Sequence, residues 1–209
     1  MLKVGLTGNI AAGKSSVVRA WQGLGAHVVD ADELSRSVVE PGTEAHARIM
    51  EAWGPRVEDA SGGLDRAALR AIVFADPEAR VRLEAIVHPA VAALRDQAYA
   101  EAETRGEALV VADVPLLFEV GMADDFDFLV LVDAPEDVRL ARLVRDRGLD
   151  EAEARRMIGA QMPAALKRAR ADLVIENAGA YSDLEVAARV AWAELTARAA
   201  RQRAYEQRG

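Results

Sequence analysis

Short β-branched runs alternate along the chain with longer stretches whose apolar residues return every three or four positions. This is the pattern of a parallel sheet covered by helices on both faces. The runs predict strands at Leu2 to Leu6, Ala26 to Asp30, Leu109 to Asp113, Phe128 to Asp133 and Leu173 to Glu176, all of them buried. Val17, Val18, Trp21 and Leu24 mark one face of a helix that opens after Gly13 and stops at Gly25. The last helix is expected to begin with a capping box at Ser182-Asp183-Leu184-Glu185 and to pass Val190, Trp192 and Leu195 before a frayed, solvated, arginine-rich tail.

Two stretches exceed a minimal five-strand sheet. The residues between Asp30 and Leu109 carry Ala, Arg and Glu at helical spacing, punctuated by Gly42, Gly54-Pro55, Gly62-Gly63 and Pro77, and predict a helical subdomain inserted beside the sheet. Asp137 to Ala171 is helical and rich in arginine, with breaks near Gly148 and at Pro163, and has the size of a mobile lid.

Composition narrows the field. The chain has 209 residues, enough for one globular domain with an insertion, and its 51% hydrophobic and 29% charged content is that of a folded protein. Acidic residues outnumber basic ones 34 to 26, a net charge of −8, which argues against wrapping nucleic acid and requires any anionic ligand to be held by a local site. Absence of cysteine removes disulfides, thiolate nucleophiles and thiolate metal sites, and suits a reducing cytosol. No apolar run approaches the roughly 18 residues of a membrane span. Lys3 is followed at once by Gly5, Thr7 and Gly8, which is no secretion signal. A cytoplasmic chain without nucleic-acid or membrane partners is expected.

The candidate chemistry begins at Gly8-Asn9-Ile10-Ala11-Ala12-Gly13-Lys14-Ser15, followed by Ser16. These residues match G-x-x-x-x-G-K-[ST] between a strand and a helix, the context in which backbone N–H groups and a helix N-terminus cradle a polyphosphate. Lys14 would reach the β- and γ-phosphates of a nucleotide such as ATP, and the Ser15 hydroxyl would coordinate Mg²⁺. Such a loop is shared by GTPases, motor ATPases, sulfotransferase-like proteins and small-molecule kinases.

Asp30-Ala31-Asp32 stand at the end of the second strand, with Arg36 one helical turn beyond. Strand C-termini of a parallel sheet face the ligand crevice, so Asp32 could accept or orient the proton of an attacking hydroxyl. The alternative is that Asp30 or Asp32 caps the next helix. Asp113 ends a Val-Val-Ala strand and could orient Mg²⁺ through water, or cap a turn before Pro115. Arg139, Arg142 and Arg145 recur every three residues, which aligns three guanidinium groups along one helix face, either solvated or closing over phosphate.

In order and spacing the sequence resembles the dephospho-coenzyme A kinase family over essentially its whole length. The resemblance is carried by Val4-Gly5-Leu6-Thr7-Gly8 before the loop, Asp30-Ala31-Asp32, Val39-Glu40-Pro41-Gly42, Val87-His88-Pro89, Asp113-Val114-Pro115-Leu116-Leu117-Phe118-Glu119, and Ala171-Asp172 followed by Ile175-Glu176-Asn177-Ala178-Gly179. It implies transfer of the ATP γ-phosphoryl group to the ribose 3′-hydroxyl of dephospho-coenzyme A. Asp32 then matches the catalytic aspartate and Arg142 the lid arginine, both catalytic with Lys14. Thr7, Arg36, His88, Pro115, Leu116 and Glu119 fall with the acceptor site, and Asn177 near the adenine edge. A histidine before proline also fits a satisfied helix-end residue.

Two departures stand out. Asn9, Ala11 and Ala12 replace the family's glycine, glycine and serine; asparagine tolerates positive φ and alanine does so with strain. Asp146-Arg147 reverses the family's order and carries no assigned role.

The expected fold is a P-loop kinase α/β class protein: a three-layer α/β/α core with a parallel five-stranded sheet (1–33, 107–136 and 172–209), a helical acceptor-binding insertion (34–106) and a helical lid (137–171). The expected chain is a monomer or weak oligomer acting on a small molecule with ATP and Mg²⁺. A kinase for another nucleotide or small alcohol, or an ATP-dependent switch, is the rival reading.

Overall fold

The computed structural model describes residues 1–207; the last two residues of the segment 172–209 lie outside the described residues. Five strands, β1 (Leu2–Gly8), β2 (Val28–Asp30), β3 (Leu109–Asp113), β4 (Phe128–Asp133) and β5 (Leu173–Glu176), form one parallel sheet in the order β2-β3-β1-β4-β5. β1 is central, with Leu2 opposite Leu109 and Val4 opposite both Val111 and Phe128. β1, β3 and β4 are almost entirely buried, as β-branched runs covered on both faces should be. β2 and β5 are only half-buried, contrary to the sequence reading, because they are the two edges of the sheet.

The chain divides into two compact units: one is Met1–Val29 with everything from Ala102 onward, the other is Asp30–Glu101. The first is the sheet unit. It carries α1 (Lys14–Gly23), α6 (Glu136–Arg147), α7 (Glu151–Gly159), α8 (Ala164–Arg168) and α9 (Tyr181–Glu206). Val4, Leu6, Val111, Val130 and Val132 of the sheet pack with Val17 and Trp21 of α1 and with Leu184, Ala188 and Leu195 of α9. Trp21 is fully buried, and its indole N–H donates to the Ala188 carbonyl at 2.8 Å, which satisfies the one polar atom that burial would strand. Gly5 is required by packing on β1, since a Cβ there would meet Leu117 and Phe126 at 2.8 Å.

α9 begins one residue before the expected Ser182. Its N-terminus is closed by Asp183, which accepts from the Ala180 N–H, and not by a serine cap. The helix also continues through the expected frayed tail. Arg198 lies over the Phe128 ring at 4.5 Å and Arg203 donates to the Gly106 carbonyl, so this end is tied to the sheet unit.

The second unit is helical: α2 (Ala31–Ser37), α3 (Glu44–Trp53), α4 (Arg66–Ala75) and most of α5 (Pro77–Thr104). Its own core joins Val38, Val39, Ile49, Val57, Leu69 and Ile86. Asp30, Thr43 and Asp65 cap α2, α3 and α4 by accepting first-turn N–H groups, the arrangement these residue types favour. Pro89 lies inside α5 and not at its end, so His88 is an exposed mid-helix residue, not the helix-end histidine considered from sequence.

Candidate active site

The loop between β1 and α1 lines a cavity of about 380 Å³ in the sheet unit, together with Pro115, Arg142, Asp146, Arg147 and Gln161. The first N–H groups of α1 have no intrahelical acceptor, and they open at Lys14 and Ser15 where the cavity is. Gly13 has φ 101, and a Cβ there would collide with the Asn177 amide nitrogen, so glycine is needed for both conformation and space.

Alanine at position 11 adopts φ 58, the strained conformation foreseen for a replaced glycine. Asn9 does not: its backbone is not left-handed, and it is buried with its side-chain amide donating to Asp133 at 2.7 Å. The loop is further fixed by Ile10 N–H to Gln161 Oε1 at 2.8 Å and by Ala12 N–H to the Asn9 carbonyl at 3.0 Å. Ala12 is fully buried and presents no side chain to the cavity.

Lys14 forms an ion pair with Asp113, the last residue of β3, at the cavity wall. The Ser15 side chain is exposed, and the Ser16 hydroxyl accepts from Arg19 at 3.0 Å. Thr7 is fully buried, and its hydroxyl donates to the Pro115 carbonyl at 3.1 Å. It therefore holds the loop after β3 and is not exposed to a ligand, against the sequence expectation. Leu116, next in that loop, is exposed.

Arg139, Arg142 and Arg145 of α6 do not form a row. Arg139 is buried and donates to the Ala134 carbonyl, while Arg145 is exposed and paired with Asp146. Residues three apart on a helix are rotated by about 60° from one another, so three in succession turn through about 120° and meet different surroundings. Only Arg142 of the three lines the cavity, donating to the Ala11 carbonyl and to Asn177. The Arg145 guanidinium beside Asp146 holds that carboxyl below its ordinary range.

Asn177 is buried; its amide donates to the Ala12 carbonyl at 2.7 Å and its oxygens accept from Arg142. The side chain is thus engaged with the loop and the arginine. Arg147, left without a role in the sequence reading, lines the cavity beside Asp146.

Glu119 closes the loop after β3 against α8. Its Oε1 takes the Lys167 ammonium at 2.7 Å and the Met162 N–H at 3.0 Å, and Lys167 is fully buried. Burial pushes the Glu119 carboxyl up, but Lys167 and the backbone N–H donors outweigh it and hold the group below its ordinary value. Arg168 beside it pairs with Asp133 and Glu176. Gln161, Lys167 and Arg168 escaped the sequence reading because the partners that give them a role here lie far away in the chain or outside their own helix.

In the helical unit, Asp30 accepts from the Asp32 and Glu33 N–H groups and is the cap of α2. Asp32 sits in the first turn, exposed, and its carboxylate has no partner among the described residues. The cap-or-base ambiguity at this pair therefore resolves in favour of Asp30 as the cap. Arg36 is exposed on α2, its carbonyl accepting from Arg66, and His88 is exposed on α5.

A family model described as dephospho-CoA kinase matches residues 2–183. The chain belongs to the dephospho-CoA kinase family. A dephospho-CoA kinase of Anaeromyxobacter dehalogenans is 51% identical over 180 residues, covering 86% of this chain and 85% of the relative. One of Thermobifida fusca is 44% identical over 198 residues, covering 95% and 98%. A solved Thermus thermophilus protein superposes with a TM-score of 0.78 at 37% identity, covering 93% of this chain and 97% of that one. A dephospho-CoA kinase from Campylobacter jejuni, at 23% identity and a TM-score of 0.72 over 92% and 96%, shares the fold. As a member of a kinase family the chain is an enzyme that uses ATP as a substrate. Among the described residues no helix is long and apolar enough to cross a membrane.

Proposed function

We propose that this protein transfers the γ-phosphoryl group of ATP to the ribose 3′-hydroxyl of dephospho-coenzyme A, the last step of coenzyme A synthesis, as a cytoplasmic monomer or weak oligomer. The observation that carries the reading is the cavity that joins the strand-loop-helix phosphate cradle to Lys14 and Arg142 in a chain of this family. Phosphoryl transfer needs little covalent chemistry from the protein; it needs positioning and positive charge where negative charge builds up.

Lys14, oriented by Asp113, meets the β- and γ-phosphates, and Arg142 neutralises charge on the transferring group. Residues Gly8 to Ser16 hold the nucleotide, with Asn177 supporting the loop from behind. The described residues contain no cluster of three or more acidic or histidine ligands. The donor set fits a cation carried mainly by phosphate oxygens and water, with the Ser15 hydroxyl as a ligand and Asp113 acting through water. Mg²⁺ bound in this way would supply charge neutralisation of the triphosphate.

Asp32 accepts or orients the proton of the 3′-hydroxyl; what supports it is an exposed, unpartnered carboxylate in the turn that follows β2, relieved of capping by Asp30. Arg36, His88, Pro115, Leu116 and Glu119 complete the acceptor side, Glu119 by fixing the loop that carries Pro115 and Leu116. The helical insertion 34–106 would receive the acceptor and the segment 137–171 would act as the lid.

The test is ADP release from Mg-ATP in the presence, separately, of dephospho-coenzyme A, adenosine, AMP and phosphopantetheine. Release that depends on dephospho-coenzyme A supports the proposal. Turnover of AMP or adenosine in its place, or release without any acceptor, overturns it.

A further inference from the structure

Ala11 is the single non-glycine residue with positive φ among the described residues, and it sits in the middle of the phosphate cradle. An L-residue keeps such a conformation only where its surroundings over-determine it. The surroundings here are specific. After Ala11, its own carbonyl accepts from Arg142 and the Ala12 carbonyl accepts from Asn177. Before it, the Ile10 N–H is held at 2.8 Å by the side-chain carbonyl of Gln161, which lies 151 residues away between α7 and α8.

We infer that Gln161 is a positioning residue for the phosphate loop: it grips the Asn9–Ile10 peptide, one residue ahead of Ala11, holds the loop in a conformation alanine resists, and thereby sets affinity for the nucleotide's phosphates. Its own place is secured by the neighbouring Met162 N–H, which donates to Glu119, and Glu119 is in turn held by buried Lys167. Ile10 and Ala11 also pack against Leu143, Ala154 and Ile158 of α6 and α7, so the loop and the helices leading to Gln161 share one apolar cluster. The inference deepens the nucleotide-binding part of the proposed function and does not depend on the identity of the acceptor.

The test is a double-mutant cycle read by calorimetric ATP binding. Gln161→Leu keeps the bulk, removes the acceptor, and is expected to raise the ATP Kd by about 2–12-fold, the worth of one neutral hydrogen bond. In an Ala11→Gly background the same change should raise Kd by less than about twofold, because glycine at positive φ stores no strain to release. Gln161→Glu retains an acceptor, so Ile10 amide exchange should stay slow in that variant and quicken in Gln161→Leu. An unchanged Kd in Gln161→Leu, equal losses in both backgrounds, or unaltered Ile10 exchange in Gln161→Leu would each overturn the inference. The expected coupling found in a protein that does not phosphorylate dephospho-coenzyme A would support this inference and remove only the acceptor assignment.

Discussion

Replacing Lys167 by methionine isolates its ion pair with Glu119. Lys167 is fully buried and its ammonium lies 2.7 Å from Glu119 Oε1, while Glu119 Oε2 is buried without a hydrogen-bond partner. Methionine fills similar volume, so the loss is electrostatic: a carboxylate remains in a poorly solvated place without its cation. Breaking a buried pair from one side costs about 3–5 kcal/mol. For a chain of this size that corresponds to a fall in Tm of roughly 6–20 °C. Removing the second charge should reverse much of the loss. In Lys167→Met/Glu119→Gln the amide oxygen can still accept the Met162 N–H, and no unpaired charge is buried. Urea unfolding followed by circular dichroism on the wild type, both single variants and the double variant measures the coupling directly. A Lys167→Met loss below about 1 kcal/mol, or a double variant no more stable than the weaker single, would refute the claim that this pair anchors the loop after β3 to α8.

The remaining expectations concern the reaction and pH. Lys14→Ala should weaken ATP binding and lower turnover together, since its ammonium neutralises phosphate in ground and transition states alike; calorimetry and steady-state rates on one preparation check it. Asp32→Asn should lower kcat by about 10²–10⁴-fold with little change in ATP affinity, because asparagine keeps the shape but cannot take a proton; near-normal turnover would move the base elsewhere. Glu119 has its folded pKa below the ordinary 4.5, so its contribution to stability is present above that pH and is lost as pH falls through the lower folded value. Acid unfolding midpoints should therefore show a steeper loss below about pH 4.5 in the wild type than in Glu119→Gln.

Strand positions and the phosphate loop were legible because they are local. Val110, Val111 and Ala112, or Leu129 to Val132, are short runs bounded by turn residues, and their burial follows from their central place in a covered sheet. The edge strands were misjudged because edge or centre is a matter of strand order, which periodicity does not encode. The loop's departures were visible as residue types, but their consequences were not: the role of Asn9 depends on Asp133, 124 residues away. The arginines of α6 looked alike in sequence and acquire separate roles only from what surrounds each one. Thr7 and Asn177 stand out in sequence by position alone; that the Thr7 hydroxyl reaches the Pro115 carbonyl and the Asn177 amide the Ala12 carbonyl depends on partners 108 and 165 residues away. For Gln161 and Lys167 no sequence pattern pointed to a partner; burial of a lysine is the signal, and it exists only in three dimensions.

Incubation with Mg-ATP and dephospho-coenzyme A, followed by phosphorus and proton nuclear magnetic resonance of the purified product, should show a new phosphomonoester coupled to the ribose 3′-proton, formed in equal amount with ADP. A phosphate at the 2′ position, or ADP formed while dephospho-coenzyme A is recovered unchanged, would contradict the account.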